Sequence, residues 1–263
     1  MDMRVIAVMN QKGGVGKTTS TLNLAHALGL AGKSVLALDM DPQGHLSTGF
    51  GINGQQGLDT VLIDEASLED TIVDAREHVK LVPAGERLAE FEYVAEGGAQ
   101  RGFRLAEAIK GSANGHDFIL IDAPPSAGLL SMNVLMAVDE ILVPVSSDIF
   151  SLHGVGRFMQ ILQHIDESLE RKTRIWIAVT RFNERRRLAR DVRDKLLEYF
   201  PGQVLATPVR ESVALAESPG TGKTIFEYQR SGNGVDDYRA LAEDLTNERT
   251  MHGQQEESEP DRV

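Results

Sequence analysis

The chain has no cysteine, a single tryptophan and only 5% aromatic residues among 263. The missing thiols exclude disulfides, thiolate nucleophiles and cysteine-ligated metals. Its seven histidines are scattered, without the spacing of a metal site. No apolar run approaches the roughly 18 residues of a membrane span, and no basic leader with an apolar stretch precedes the first strand-like run. A cytoplasmic protein is the expectation. Positive charge is scarce as well: 27 Lys and Arg face 39 Asp and Glu, for a formal net charge of -12, which counts at first against nucleic acid as a partner. The remaining composition, 41% apolar and 25% charged, is that of an ordinary globular protein long enough to bury one large core.

The strongest local signal is Gln11-Lys12-Gly13-Gly14-Val15-Gly16-Lys17-Thr18-Thr19. It follows the apolar run Val5–Met9 and precedes a helix expected over Thr18–Ala31, so the order is strand, glycine-rich turn, helix. Glycines at 13, 14 and 16 let the chain curl so that successive backbone N–H groups and the helix start face an anion. Lys17 is placed to reach the β- and γ-phosphates of a nucleotide, and the Thr18 hydroxyl to complete a Mg²⁺ shell. The usual loop has glycine where this chain has Gln11 and asks for no lysine at position 12. Lys12 is therefore either surplus charge or a group that reaches a phosphate from another direction.

Two further strands deliver carboxylates to the same kind of edge. Ser34–Leu38 reads as a buried parallel strand ending in Asp39-Met40-Asp41-Pro42-Gln43-Gly44, and Asp117–Asp122 as another, followed by Ala123-Pro124-Pro125. Asp41 is a candidate catalytic group and Asp122 a candidate Mg²⁺ ligand, held directly or through water. Between Gly51 and Gly115 the pattern is weak: short helical turns at 59–62 and 68–72, a strand at 79–83, and helices at 87–95 and 103–110. Later come strands at 140–145, 174–179 and 204–207, and helices at 152–162, 186–200 and 235–245. The 186–200 helix is expected to turn Leu188, Val192, Leu196 and Leu197 inward. Pro219–Thr224 imitates a phosphate loop but lacks a preceding buried strand, and Glu217 stands where the pattern wants glycine. From Thr246 the chain is Gln/Glu/Ser-rich and expected to be disordered, so the reading is one domain over 1–245 and an acidic tail over 246–263.

Charge distribution qualifies the acidic total. Ten Lys or Arg residues fall between Arg171 and Lys195 against three acidic ones, more than a third of all the basic residues. Arg185, Arg186, Arg187, Arg190 and Arg193 are either a solvated helix face or contacts for DNA phosphates. No base-reading module accompanies them, so any such binding is expected to be sequence-independent and salt-sensitive.

These motifs together resemble the ParA/MinD superfamily of deviant Walker A ATPases, and within it the short ParA type. The similarity covers roughly residues 4–245 through Lys12–Thr19, Asp39–Gly44, Ile121–Ser126, Val143-Pro144-Val145 with Gly154, Thr180–Leu188 and Val213–Pro219. The resemblance implies an α/β three-layer sandwich with a central, mostly parallel sheet, the P-loop NTPase fold, and an ATPase using ATP and Mg²⁺. It implies that residues 12–19 bind ATP, with Thr19 at the α-phosphate and Lys17 catalytic. Asp41 positions or activates the attacking water and belongs with Thr18 and Asp122 to the metal site, and Lys12, also catalytic, crosses an ATP-bound homodimer to the partner's nucleotide. It further implies non-specific DNA binding on the nucleoid and a ParB-like or other small stimulating adaptor. The cargo is a plasmid, a chromosome origin or a protein assembly such as a carboxysome. The departures are Arg181 and Asn183 in one loop and the uncharged Ala214 at a position often basic. No DNA-binding extension precedes the first strand, and the Glu-rich C-terminus lacks the basic amphipathic helix that membrane anchoring requires. A MinD-like, ATP-switched protein-interaction regulator that does not rely on DNA is the alternative.

Overall fold

In the computed structural model, which describes residues 3–93, 97–112 and 115–251, seven strands make one sheet with helices on both faces. The strands are β1 (Arg4–Val8), β2 (Val35–Asp39), β3 (Val73–Arg76), β4 (Val79–Val82), β5 (Phe118–Asp122), β6 (Glu140–Ser146) and β7 (Arg174–Thr180). The helices are α1 (Lys17–Leu30), α2 (His45–Gly49), α3 (Leu58–Ile63), α4 (Arg104–Ser112), α5 (Leu129–Ala137), α6 (Ile149–Ser168), α7 (Arg187–Tyr199), α8 (Val213–Glu217), α9 (Ile225–Tyr228) and α10 (Asn233–Asn247). The spatial order is β3-β4-β2-β5-β1-β6-β7. All pairs are parallel except β3 with β4 at one edge.

Central strands read as continuous apolar runs because helices cover both of their faces. Alternation then sorts each strand between two cores. Val5, Ala7 and Met9 join Leu38, Ile121 and Val143 on one face, whereas Ile6 and Val8 join Ala37, Leu120 and the α1 residues Leu22 and Leu28 on the other. The result is the expected three-layer P-loop NTPase architecture. Gly32, at φ 77, ends α1 as the sequence suggested, with its N–H on Gly29 O and that of Lys33 on Leu28 O.

Several expectations are corrected. Helix α5 went unread because LLSMNVLMA is apolar nearly all round and offers no periodic stripe. Strand β3 is four residues long with Asp74 and Arg76 in it, too short and polar to stand out. Residues 204–207 form no strand; Val204 bridges Ile177 and Leu205 bridges Thr250, one residue at a time. In α7 Val192 and Leu196 are buried and Leu197 packs against the core as expected, but Ala189 takes the remaining core position and Leu188 is 47% exposed. The helical expectation over 87–95 becomes a 3-10 turn at Leu88–Tyr93, and Ala95 lies outside the described residues. Order also runs past residue 245: α10 continues to Asn247, Thr250 pairs with Leu205, and Met251 packs on the core. Apolar contact at Met251, beyond the polar stretch, holds those residues; the rest of the expected tail, 252–263, lies outside the described residues.

The end of the sheet opposite the phosphate loop is closed by one carboxylate. Glu140 accepts hydrogen bonds from Arg4 at 2.6 and 2.5 Å and from the Trp176 ring N–H at 2.6 Å. Burial raises its proton affinity, but the bonds from Arg4 and Trp176 together outweigh that and hold its pKa below the ordinary value. Glu140→Ala would strand the Arg4 charge and the indole N–H, so a loss of about 3 kcal/mol is expected in urea unfolding. A loss below about 1 kcal/mol would contradict this role.

Candidate active site

Strand order reverses beside β1: the chain leaves it for β2, beyond β5, and returns later to β6 on its other side. The crevice at the carboxyl ends of such strands is where an α/β sheet takes its ligand. The glycine-rich loop after β1 lies there. Asn10 is buried and braces it, donating to Pro144 O at 2.8 Å and accepting from the Lys12 N–H at 3.0 Å. On the far side the Thr180 hydroxyl, at the end of β7, donates to Val15 O at 2.8 Å. Gly14 and Gly16 have φ of 74° and 93°, values that favour glycine. A Cβ at Gly13, Gly14 or Gly16 would meet no protein atom within 4 Å. Open space over a curled backbone, at a helix start with no acidic residue in its first turn, fits an anion.

Lys17 is buried, with Nζ 3.4 Å from Lys12 O. Burial lowers its pKa, and the charges of Asp122 and Asp41 work against that fall. Lys12 behaves differently: its Nζ is 2.6 Å from Asp148 Oδ1, just beyond β6, and both side chains are about a third exposed. Thr18 and Thr19 lie half-buried in the first turn of α1.

Asp39 and Asp122 are directly opposite in the β2–β5 register, and neither is exposed at all. Thr21 donates to Asp122 Oδ1 at 3.1 Å and the Thr18 side chain also favours the ionised form of that carboxylate, yet Oδ2 has no partner. Burial, with the Asp39 charge added, pushes Asp122 up to about 8. Asp41, 8% exposed, accepts the Gln43 N–H at 3.0 Å, and its charge acts on Lys17, Asp39 and Asp122 alike. An orphaned oxygen on a buried carboxylate, next to a hydroxyl and a phosphate cradle, fits a hard divalent cation such as Mg²⁺, which asks for oxygen ligands and keeps several waters. Among the described residues no three His, Cys, Asp or Glu side chains form a metal cluster by themselves. The metal's remaining ligands would come from a hydroxyl, water and substrate.

Lys12, Lys17, Thr18, Asp41 and Asp122 are thus brought to one sheet edge. Asp148, Thr21, Thr180 and Ser47 also serve this edge and were given no role by sequence reasoning; only Thr180, directly after the strand expected over 174–179, carried a signal. The arginines lie elsewhere, around α7. Arg185, Arg186 and Arg187 are exposed; Arg186 is 3.3 Å from Glu211 and Arg187 3.7 Å from Asp191. Arg190 and Arg193 are half-buried: Arg190 donates to Glu184 O at 2.5 Å, and Arg193 pairs with Asp194 at 2.7 Å above the Phe182 ring. A groove of ≈ 1400 Å³ runs beside α7, but it contains no phosphate-loop residue, and its Arg185, Arg193 and Arg210 face Glu184, Asp194, Glu198, Glu211 and Asp237. The buried carboxylates with an unpartnered oxygen beside the phosphate loop, Asp39 and Asp122, do not line this groove.

Residues 3–175 match the family profile described as an AAA domain. The chain is 36% identical over 249 residues to the chromosome partitioning protein ParA of Myxococcus xanthus, spanning 92% of this chain and 87% of that protein. It is 34% identical over 247 residues to the sporulation initiation inhibitor protein Soj of Bacillus subtilis, spanning 92% and 98%. Among solved structures, cobyrinic acid a,c-diamide synthase from Mycobacterium smegmatis with bound ATP analogue and magnesium superposes with a TM-score of 0.80 at 28% identity, covering 97% of this chain and 100% of that one. An ATP complex of Cyanothece McdA superposes equally well, TM-score 0.80 over 94% and 96%, and at 21% identity shares the fold.

Because the native state holds a proton on Asp122 more tightly than the unfolded chain, whose value is near 3.8, stability of the nucleotide-free protein should fall as pH rises from about 4 to about 8. Asp39, raised to about 6, adds to the lower part of that window. Urea unfolding across pH 5–8 is expected to show the decline, and Asp122→Asn to flatten it. A wild-type slope in the variant would contradict the buried-charge account.

Proposed function

The chain belongs to the ParA/Soj/MinD family of deviant Walker A ATPases, and we propose that it hydrolyses ATP to ADP and phosphate as a homodimer formed in the ATP state. In that state it binds DNA without sequence preference and positions a cargo with a small stimulating adaptor. The observation that carries the reading is the convergence of two lysines, a threonine and two buried carboxylates on one open phosphate loop.

In this reading the N–H groups of residues 13–19 hold the phosphates, and Lys17 neutralises charge that grows on the β- and γ-oxygens. Thr18 and Asp122 hold Mg²⁺, which when bound supplies further neutralisation of the phosphate oxygens. Asp41, fixed by its bond to the Gln43 N–H, orients the attacking water. Lys12 has no reason to duplicate Lys17 within one chain. Its ion pair with Asp148 is part-exposed, hence weakly held, and it can be given up when a second copy offers a phosphate.

The DNA surface is assigned to Arg185, Arg186 and Arg187, with Arg190 and Arg193 behind them. A plasmid, a chromosome origin or a protein assembly such as a carboxysome would be the cargo, at the nucleoid. A second reading, a MinD-like regulator without DNA, is favoured by one observation: Arg186, Arg187 and Arg193 already have carboxylate neighbours on an acidic chain. No described helix is long and apolar enough to cross a membrane.

Asp41→Ala is expected to keep ATP-dependent dimers and duplex binding while phosphate release falls by about 100-fold or more. In the same DNA-binding assay, Arg185, Arg186 and Arg187 changed together to Ala should reduce the salt slope by up to about 3. Rapid phosphate release by the first variant contradicts the assignment of Asp41, and undiminished duplex binding by the second contradicts the assignment of the DNA surface, whereas no duplex binding by the ATP-bound wild type favours the DNA-independent reading.

A further inference from the structure

Asp39 is a fully buried carboxylate to which the hydrolysis scheme gives no task. Its Oδ2 accepts two hydrogen bonds from Ser47, from the backbone N–H at 2.8 Å and from the hydroxyl at 2.6 Å. Ser47 is the third residue of α2, and Gly44, the residue just before that helix, has no side chain with which to cap it. Asp39 therefore does the capping from the end of a neighbouring strand. The segment spanned by this brace, residues 40–46, contains Asp41. The backbone N–H of Asp41 lies against the same carboxylate electrostatically, though Oδ1 has no hydrogen-bond partner. Gly49 at the other end of α2 packs on Leu22 of α1, where a Cβ would come within 3.0 Å of a leucine methyl. The loop carrying Asp41 is thus pinned between β2 and the helix that begins at the phosphate loop.

On its other side Asp39 faces Asp122 across the β2–β5 register, strands about 4.8 Å apart. Both belong to the α1 face of the sheet, since their neighbours Ala37 and Leu120 pack in the α1 core. Each leaves one buried oxygen unpaired. Two adjacent buried carboxylates repel, and a divalent cation relieves the pair more than it would either alone.

We propose that Asp39 is a positioning residue for hydrolysis, which caps α2 through Ser47 to hold the Asp41 loop and sets a second negative charge beside Asp122 that strengthens the hold on the metal. This inference rests on the reading of Thr18 and Asp122 as the Mg²⁺ site.

The two effects separate by substitution. Asp39→Asn keeps an acceptor for Ser47 and removes the charge; Ser47→Ala keeps the charge and weakens the brace. Asp39→Asn is expected to raise the Mg²⁺ concentration for half-maximal ATPase about tenfold, with KM for ATP within about twofold. In an assay without turnover, it should also shrink the rise in unfolding midpoint that MgCl2 produces in the presence of ADP. Ser47→Ala is expected to lower kcat several-fold while leaving the Mg²⁺ dependence as in the wild type. A wild-type Mg²⁺ requirement in Asp39→Asn, or a wild-type kcat in Ser47→Ala, overturns the proposal. Asp122→Asn serves as the reference: if it too retains wild-type Mg²⁺ dependence, the metal-site reading fails and takes this inference with it.

Discussion

A carboxylate buried at the end of a core strand, with one oxygen unpaired, is expensive unless something arrives to pair it. Asp122 is such a group, and Asp39 opposite it doubles the cost. The rest of the sheet edge is arranged around that unpaid charge. Lys17 is driven under cover beside it, Thr18 and Thr21 turn their hydroxyls to it, and α1 begins there with no acidic residue of its own. The curled glycine backbone adds free donors over open space. Phosphate and a divalent cation answer both demands at once, the metal meeting the carboxylates and the anion meeting the donors.

How much of this was legible follows from how local each signal is. The loop at 11–19 and the strands ending in Asp39 and Asp122 were readable because motif, burial and edge placement all lie within about ten residues. Helix α5 was not, since a segment buried on nearly every side carries no stripe, and β3 was lost because an edge strand of four residues with Asp and Arg in it resembles a turn. The phase of α7 was misjudged at Leu188 because Ala189, small and apolar, fills the core position next to it. The brace between Asp39 and Ser47 spans eight residues and depends on where α2 lands, which no pattern in the chain announces.

Electrostatics divides the molecule unevenly. At the phosphate loop, burial makes charge interactions strong and directional. Around α7 the arginines are exposed or tied to nearby carboxylates, in a chain of net charge -12. Any hold of such a surface on phosphates would be the sum of several weak contacts and would weaken as ionic strength rises. In the proposed nucleotide-driven dimer two copies of the patch could engage one duplex together, and the weak contacts of each would then reinforce those of the other.

The central claim is that the loop is half of a two-chain site, with Lys12 serving the nucleotide of its partner and Asp41 serving its own. Mixing Lys12→Ala protein with Asp41→Ala protein tests this most directly, with phosphate release as the measurement. A mixed dimer then holds one site with an intact Asp41 in its own chain and an intact Lys12 from the other, so activity absent from each variant alone should reappear in the mixture. If Lys12 acts within its own chain, neither site of the mixed dimer is complete, and a mixture that stays inactive while mixed dimers form would contradict the account.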